Sequence, residues 1–235
     1  MNVAIIKAGG VGSRMGADIP KQFVEVYGKP IIIYTLEAFQ RHKEIEAIWV
    51  ICVDGWQEYV SEISAKYRIT KLRGIVEGGE TSLLSIKNGV DAVRKLYSDD
   101  DIILIHDANR PCVSGDIITG VINKCMENDM AVAAVPCDDE VALLNNSYEL
   151  CADRYLDHKK IFRIQTPDAY KLKVIKKIFD CASEEQLHTI GATNVLAIEE
   201  GYNIWLSDGS ATNIRLTTIH DINLMKGIFK SSRKR

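Results

Sequence analysis

The sequence lacks several features that would decide its class at once. No two of its six cysteines (52, 112, 125, 137, 151 and 181) form a C-x-x-C pair. That spacing argues against zinc ligands or disulfides and, with several of the six inside apolar runs, predicts reduced, buried thiols in a cytosolic protein. No apolar stretch approaches about 18 residues and the N-terminus enters a strand immediately, so neither a membrane span nor a signal peptide is expected. Positive charge is not in excess: 29 Lys+Arg against 32 Asp+Glu leave a formal net charge of −3, which argues against a nucleic-acid or anionic-membrane partner. The basic end, KSSRKR, reads as a solvated terminus. No internal repeat, low-complexity segment or second-domain boundary interrupts the chain, and residues 1–235 are expected to form one domain.

Two well-known phosphate loops are absent as well. A Walker A loop needs Gly-Lys-Ser/Thr at its end, and a dinucleotide fingerprint needs a third glycine where Met15 stands. What is present is the stretch VAIIKAGGVGSRMGADIPKQ at 3–22, around which the chain is organised. Its β-branched start (Val3, Ile5, Ile6) predicts a buried strand that breaks into Gly9, Gly10 and Gly12, with Arg14 and Lys21 close behind. Glycines let backbone N–H groups approach an anion, and two cations neutralise a polyphosphate. The same stretch also reads as a structural strand-to-helix turn carrying solvated charges.

Further along, apolar runs and helical patterns alternate. Pro30 opens a helix whose apolar residues are Ile31, Ile32, Leu36 and Phe39; Ala47 to Val53 is a continuous apolar strand; a helix is expected from Glu58 to Tyr67 and a strand from Leu72 to Val76. Gly78-Gly79 precedes an amphipathic helix through Leu83, Ile86, Val90, Val93 and Tyr97. Ile102 to Ile105 predicts a buried strand delivering His106, Asp107 and Arg110 at its carboxyl end, where open α/β sheets bind ligands. Residues 116–128 form a helix and Ala131 to Val135 a strand. The alternation lapses over 137–164, with Val141, Leu143 and Leu150 available to line a hairpin. Helices near 171–180 and 192–199, strands at Asn203 to Leu206 and Ile214 to Leu216, and a capping box Thr218-Ile219-His220-Asp221 before a last helix complete the reading. The fold class is α/β, Rossmann-like, with a mostly parallel sheet and helices on both faces, and on the residues alone the 137–164 stretch reads as a surface excursion.

The loop AGGVGSRMG followed by PKQF resembles the signature of the cytidylyltransferases that act on sugar-alcohol phosphates, the methylerythritol-phosphate and ribitol-phosphate enzymes. GGETSLLS at 78–85, HDANRP at 106–111, QTP at 165–167 and NIRLTT at 213–218 resemble that family's later motifs in order and separation. The resemblance implies transfer of CMP from CTP to a polyol phosphate, giving a CDP-polyol and pyrophosphate. The AGG form of the loop is similar to the ribitol 5-phosphate branch, which supplies polyols for wall or capsule polymers. It implies catalytic cations at Arg14, Lys21 and Arg215, the last standing where the family usually has a lysine. It implies a nucleotide pocket of Ala8, Gly9, Gly10, Gly12, Gly79, Ser85 and Asp107, and magnesium carried mainly by the triphosphate, with Asp107 as the one candidate metal ligand. It implies that 137–164 is a projecting β-arm through which the chain forms a homodimer, embracing the second subunit and lending residues to its site.

The acceptor half departs from the pattern. Ser82 stands at the family's arginine in the glycine-pair motif, Glu140 at its arm threonine, His158 at its arm arginine with Lys160 close by, and Asp168 at the glutamine of TPQ; Thr189-Ile190-Gly191 replaces an acidic segment. Acceptor-binding candidates are therefore Asp107, Arg110, Glu140, His158 and Lys160, with Arg154 and Arg163 next. Asp107 and Arg110 also read as a structural pair, Ser85 as an ordinary helix-face serine, Arg215 as a surface charge, and His106 as a packed strand-end histidine with no chemical role. Other readings of the whole are methylerythritol-phosphate cytidylyltransferase, another sugar-phosphate nucleotidyltransferase, and a non-catalytic nucleotide-binding homologue.

Overall fold

The computed structural model of the chain describes residues 1–10, 19–144 and 151–232. The first strand, β1 (Asn2–Ala8), is followed by a 3-10 turn at Lys21–Phe23 and a small hairpin of β2 (Glu25–Val26) and β3 (Lys29–Pro30). Next come α1 (Ile31–Arg41), β4 (Ala47–Cys52), α2 (Gln57–Lys66), β5 (Leu72–Glu77), α3 (Ser82–Val93), β6 (Ile102–Asp107), α4 (Gly115–Asn128) and β7 (Met130–Pro136). The arm hairpin is β8 (Val141–Leu144) with β9 (Ala152–Leu156). The chain returns through β10 (Phe162–Lys171), α5 (Leu172–Cys181), α6 (Glu184–Thr189), α7 (Thr193–Glu199), β11 (Leu206–Asp208) and α8 (Ile219–Ser232).

Seven strands form the central sheet in the order β11-β7-β10-β6-β1-β4-β5. The β1–β4, β1–β6, β4–β5 and β7–β11 pairs are parallel, while β10 runs antiparallel to both β6 and β7. Alternation along β1 sorts its side chains by face. Ala4, Ile6 and Ala8 pack with Leu36 and Phe39 of α1, Val60 of α2 and Ile118 of α4. Val3 and Ile5 pack with Leu83 and Ile86 of α3, Ile175 of α5 and Leu196 of α7. With both faces covered, the central strands β1, β4 and β6 have no solvent-facing side, which is why they read as apolar runs.

Several expectations are corrected. No strand forms at 214–216, and the strand expected from Asn203 begins at Leu206. The 137–164 excursion is shorter than expected, because Phe162 to Ile164 already pair with Ala134 to Pro136 in the central sheet. Two of its hairpin positions, Val141 and Leu143, lie on β8, and Leu150 falls outside the described residues. Half of the late capping box is present: Asp221 Oδ2 accepts from the Thr218 amide at 2.7 Å, while the Asp221 amide donates to the Thr218 carbonyl rather than to its hydroxyl. All six thiols are unpaired, as expected, but Cys151 and Cys181 are exposed. No helix among the described residues is long and apolar enough to cross a membrane.

Candidate active site

The site lies at the carboxyl ends of β1, β5 and β6. Where β1 and β5 end, two glycine turns approach each other around Ser85. A Cβ on Gly9 would lie 3.4 Å from Ser85 Oγ, and one on Gly78 would lie 3.2 Å from the same atom. Gly79 admits no side chain at all, since a Cβ there would fall 2.7 Å from Leu84 Cβ. Ser85 Oγ accepts from the Gly79 amide at 3.0 Å and is 2.8 Å from the Thr81 carbonyl, so this hydroxyl ties the turn to α3. Thr81 caps that helix through the Leu84 amide. Ala8, the other edge of the pocket, is fixed from behind by the buried Gln22, whose Nε2 donates to the Ala8 carbonyl at 2.7 Å.

The end of β6 is held just as tightly. The Asp107 amide donates to Thr166 Oγ1 at 3.1 Å. His106 is fully buried, with Nε2 3.1 Å from the Arg110 carbonyl and Nδ1 3.1 Å from Thr166 Oγ1. A carbonyl only accepts, so Nε2 carries the proton and Nδ1 takes one from Thr166. Burial lowers the His106 pKa to about 4, which leaves the ring neutral. It is a packed histidine, as expected.

Asp107 is bracketed by cations. Lys7 Nζ lies 3.1 Å from Oδ1 and Arg110 Nε 3.4 Å from Oδ2. Burial alone would raise this carboxyl, but Lys7, Arg110 and His106 together hold it well below the usual carboxylate range. Arg110 is itself anchored, donating to the Asn213 carbonyl at 2.9 Å. Asn109 and Leu216 exchange hydrogen bonds, including Leu216 N–H to the Asn109 carbonyl at 2.8 Å, and this clasp sets Arg215 beside the end of β6.

A cavity of about 330 Å³ results, lined by Ala8, Gly9, Gly10, Lys21, Gly79, Ser85, Asp107 and Arg215 among others. Eight of the residues singled out in the sequence are thus brought together. Gly12 and Arg14 lie outside the described residues. An adjoining cavity of about 160 Å³ is lined by Arg110, Thr166, Asp168, Thr193 and Asn194, and again by Lys7, Asp107 and Arg215. Asp168 is buried there, with Oδ2 accepting from Tyr170 and Asn194 and Oδ1 without a partner. Burial pushes its pKa up to about 7.

Glu140, His158 and Lys160 line neither cavity. On the arm, Glu140 Oε2 is 3.6 Å from His158 Nδ1, and Lys160 is exposed. Within one chain they do not meet Asp107. As for a metal, both Asp107 oxygens already face cations, and no group of three or more acidic, histidine or cysteine side chains suited to a metal ion occurs among the described residues. This donor set fits an ion brought in on phosphate oxygens and not a protein cage.

Lys7, Gln22, Thr166 and Asn213 were not foreseen in these roles. For Lys7 the sequence offers only a lone cation near the end of a β-branched run; the strand register is what sets it opposite Asp107.

Comparison with known proteins adds the family. Residues 2–231 match the family model described as IspD: 2-C-methyl-D-erythritol 4-phosphate cytidylyltransferase. The chain belongs to the IspD family of cytidylyltransferases. It is 37% identical over 232 residues to a ribitol-5-phosphate cytidylyltransferase of Lacticaseibacillus paracasei, covering 98% of each chain. It is 34% identical over 231 residues to a 2-C-methyl-D-erythritol 4-phosphate cytidylyltransferase of Clostridium botulinum, covering 97% of each. In three dimensions it is similar to the Francisella tularensis 2-C-methyl-D-erythritol 4-phosphate cytidylyltransferase, with a TM-score of 0.81 at 26% identity over 96% of this chain and 98% of that one. The chain is therefore an enzyme of nucleotidyl transfer with the family's Rossmann-like α/β fold.

Proposed function

We propose that this cytidylyltransferase joins CTP to ribitol 5-phosphate or a closely related polyol phosphate, releasing pyrophosphate, and works as a cytoplasmic homodimer supplying activated polyols for wall or capsule polymers. The observation that carries the two-substrate reading is the pair of adjoining cavities that share Lys7, Asp107 and Arg215. The larger has glycine turns and cations suited to a nucleotide; the smaller has the buried carboxyl, hydroxyl and amide groups suited to a hydroxyl-rich acceptor. Relatives at 34 to 37% identity carrying the ribitol-5-phosphate name support the choice of acceptor.

A phosphomonoester is already nucleophilic near neutral pH, so the protein needs no general base and catalysis is positioning and charge neutralisation. An oxygen of the acceptor phosphate bonds to the α-phosphorus, the α–β bridging bond breaks, and its electron pair leaves with pyrophosphate. Arg14 and Lys21 hold the triphosphate, Arg215 the α-phosphate, and the slot between Ala8, Gly79 and Ser85 takes the pyrimidine. When bound, Mg²⁺ supplies further charge neutralisation on the triphosphate. Glu140, His158 and Lys160 are assigned to the acceptor of the other subunit, where a phosphate in a partly dry site needs donors.

The test is pyrophosphate release from CTP with a panel of polyol phosphates. Ribitol 5-phosphate is expected to be the best acceptor. Preference for methylerythritol phosphate would move the enzyme to the other branch, and silence with every acceptor would leave a nucleotide-binding protein.

A further inference from the structure

Lys7 belongs to no loop motif, yet the structure sets it in the middle of the site. Alternation along β1 puts its side chain on the Val3–Ile5 side, toward α3. There Nζ donates to Ser82 Oγ at 3.1 Å and faces Asp107 Oδ1 at 3.1 Å. An ammonium has three N–H donors, so two are engaged by protein, and the side chain remains 26% exposed. Arg110 faces the other Asp107 oxygen at 3.4 Å, so the carboxylate keeps one cation when Lys7 is replaced.

The decisive observation is where the two cavities meet. Among the described residues, Lys7, Asp107 and Arg215 are the three that line both. Nucleotidyl transfer brings the attacking oxygen to within about 3–3.5 Å of the α-phosphorus, so if one substrate lies in each cavity the reacting atoms lie at their junction. Of the three shared residues, two are cations.

We propose that Lys7 is a catalytic residue whose ammonium contacts the reacting phosphates at this junction and, with Arg215, stabilises the charge that grows on the α-phosphate oxygens. This rests on the reaction proposed above. As the acceptor oxygen bonds to the α-phosphorus and the bridging bond to the β-phosphate breaks with its electron pair, negative charge builds on the oxygens of the transferring group. Lys7 answers it electrostatically and keeps its proton throughout. Asp107 and Ser82 are positioning residues that hold the ammonium in place.

Lys7→Met keeps an unbranched stem and removes the charge. With CTP and the best polyol phosphate at saturation, turnover of the folded variant is expected to fall at least about 100-fold, with CTP affinity within threefold of wild type. A merely structural lysine would lower both together. Adding Ser82→Lys to Lys7→Met returns an ammonium to the same region from α3, and at least a tenfold recovery of turnover is expected. The proposal is overturned if Lys7→Met turns over within threefold of wild type, if its CTP affinity falls as far as its turnover, or if the folded double variant recovers nothing. A wild-type protein that releases no pyrophosphate with any polyol phosphate overturns the reaction and the role of Lys7 with it. An active wild type with an unaffected Lys7→Met overturns the role of Lys7 alone.

Discussion

Asp168 and His106 are both buried, and burial acts on their protons in opposite directions. The neutral form is favoured in each, which raises the acid to about 7 from its ordinary 3.8 and lowers the base to about 4 from 6.5. For Asp168 the folded state holds the proton more tightly than the unfolded state, so its contribution to stability declines as pH rises from about 4 to about 7. For His106 the unfolded state binds the proton more tightly, so stability is lost as pH falls from 6.5 toward about 4. The two slopes oppose each other in wild type. Asp168→Asn removes the first and is expected to make stability climb with pH between 4.5 and 6.5 more steeply than in wild type, by up to about 1.4 kcal/mol per pH unit. Urea unfolding at several pH values measures this, and parallel curves would refute it. At the site itself, Lys21→Ala and Arg14→Ala should each lower turnover by about 100-fold or more while leaving the fold intact; activity within a few-fold of wild type would remove these cations from the mechanism. Lys21 was legible because it sits in a recognisable run. Lys7 was not, because only the β1–β6 register places it against Asp107.

At the level of elements, helix α3 shows how closely this sheet is covered. A Cβ on Gly89 would lie 2.9 Å from Ile51 Cδ1 and 3.1 Å from Ile5 Cγ2, both on buried strand residues. Alanine gains roughly 1 kcal/mol of helix propensity over glycine, but overpacking a core costs about 1–3 kcal/mol. Gly89→Ala is therefore expected to destabilise. Gly227, in α8, has nothing within 4 Å of the added atom, and Gly227→Ala should stabilise by about 0.5–1 kcal/mol. Thermal melts of the two variants should move in opposite directions; a shared direction would mean that propensity, or packing, governs both. Strands β1, β4, β6 and β7 could be read directly from their apolar runs because helices cover both faces. Strand β10 could not. Gln165, Thr166, Pro167 and Asp168 interrupt its pattern, and their polar groups are consumed by Asn213, Ser210, His106 and Asn194, partners that exist only once the sheet has formed.

Across the whole molecule, the arm is one of the places where apolar surface remains uncovered. On its hairpin Leu143, Leu144 and Tyr155 are 37%, 57% and 60% exposed, a cluster of apolar side chains of the kind that marks an interaction surface. The proposed dimer would cover them. Sedimentation at micromolar concentration should give a dimer, and removal of the hairpin at 141–156 should give an inactive monomer; a monomeric, fully active wild type would exclude a shared site.

The strand order carries one more consequence, for the chain as it is being made. Strands β6 and β7 are consecutive in sequence but not neighbours in the sheet, and β10 fills the gap between them. On β7 both flanking partners, β10 and β11, are translated later. A ribosome that has delivered the first 140 or so residues has therefore exposed the whole of β7 with no neighbour to pair with, and at about 5–20 residues per second that state lasts seconds. Nascent chains stalled after β7 are expected to be protease-sensitive through 130–136, and chains stalled once β11 has emerged to be resistant there.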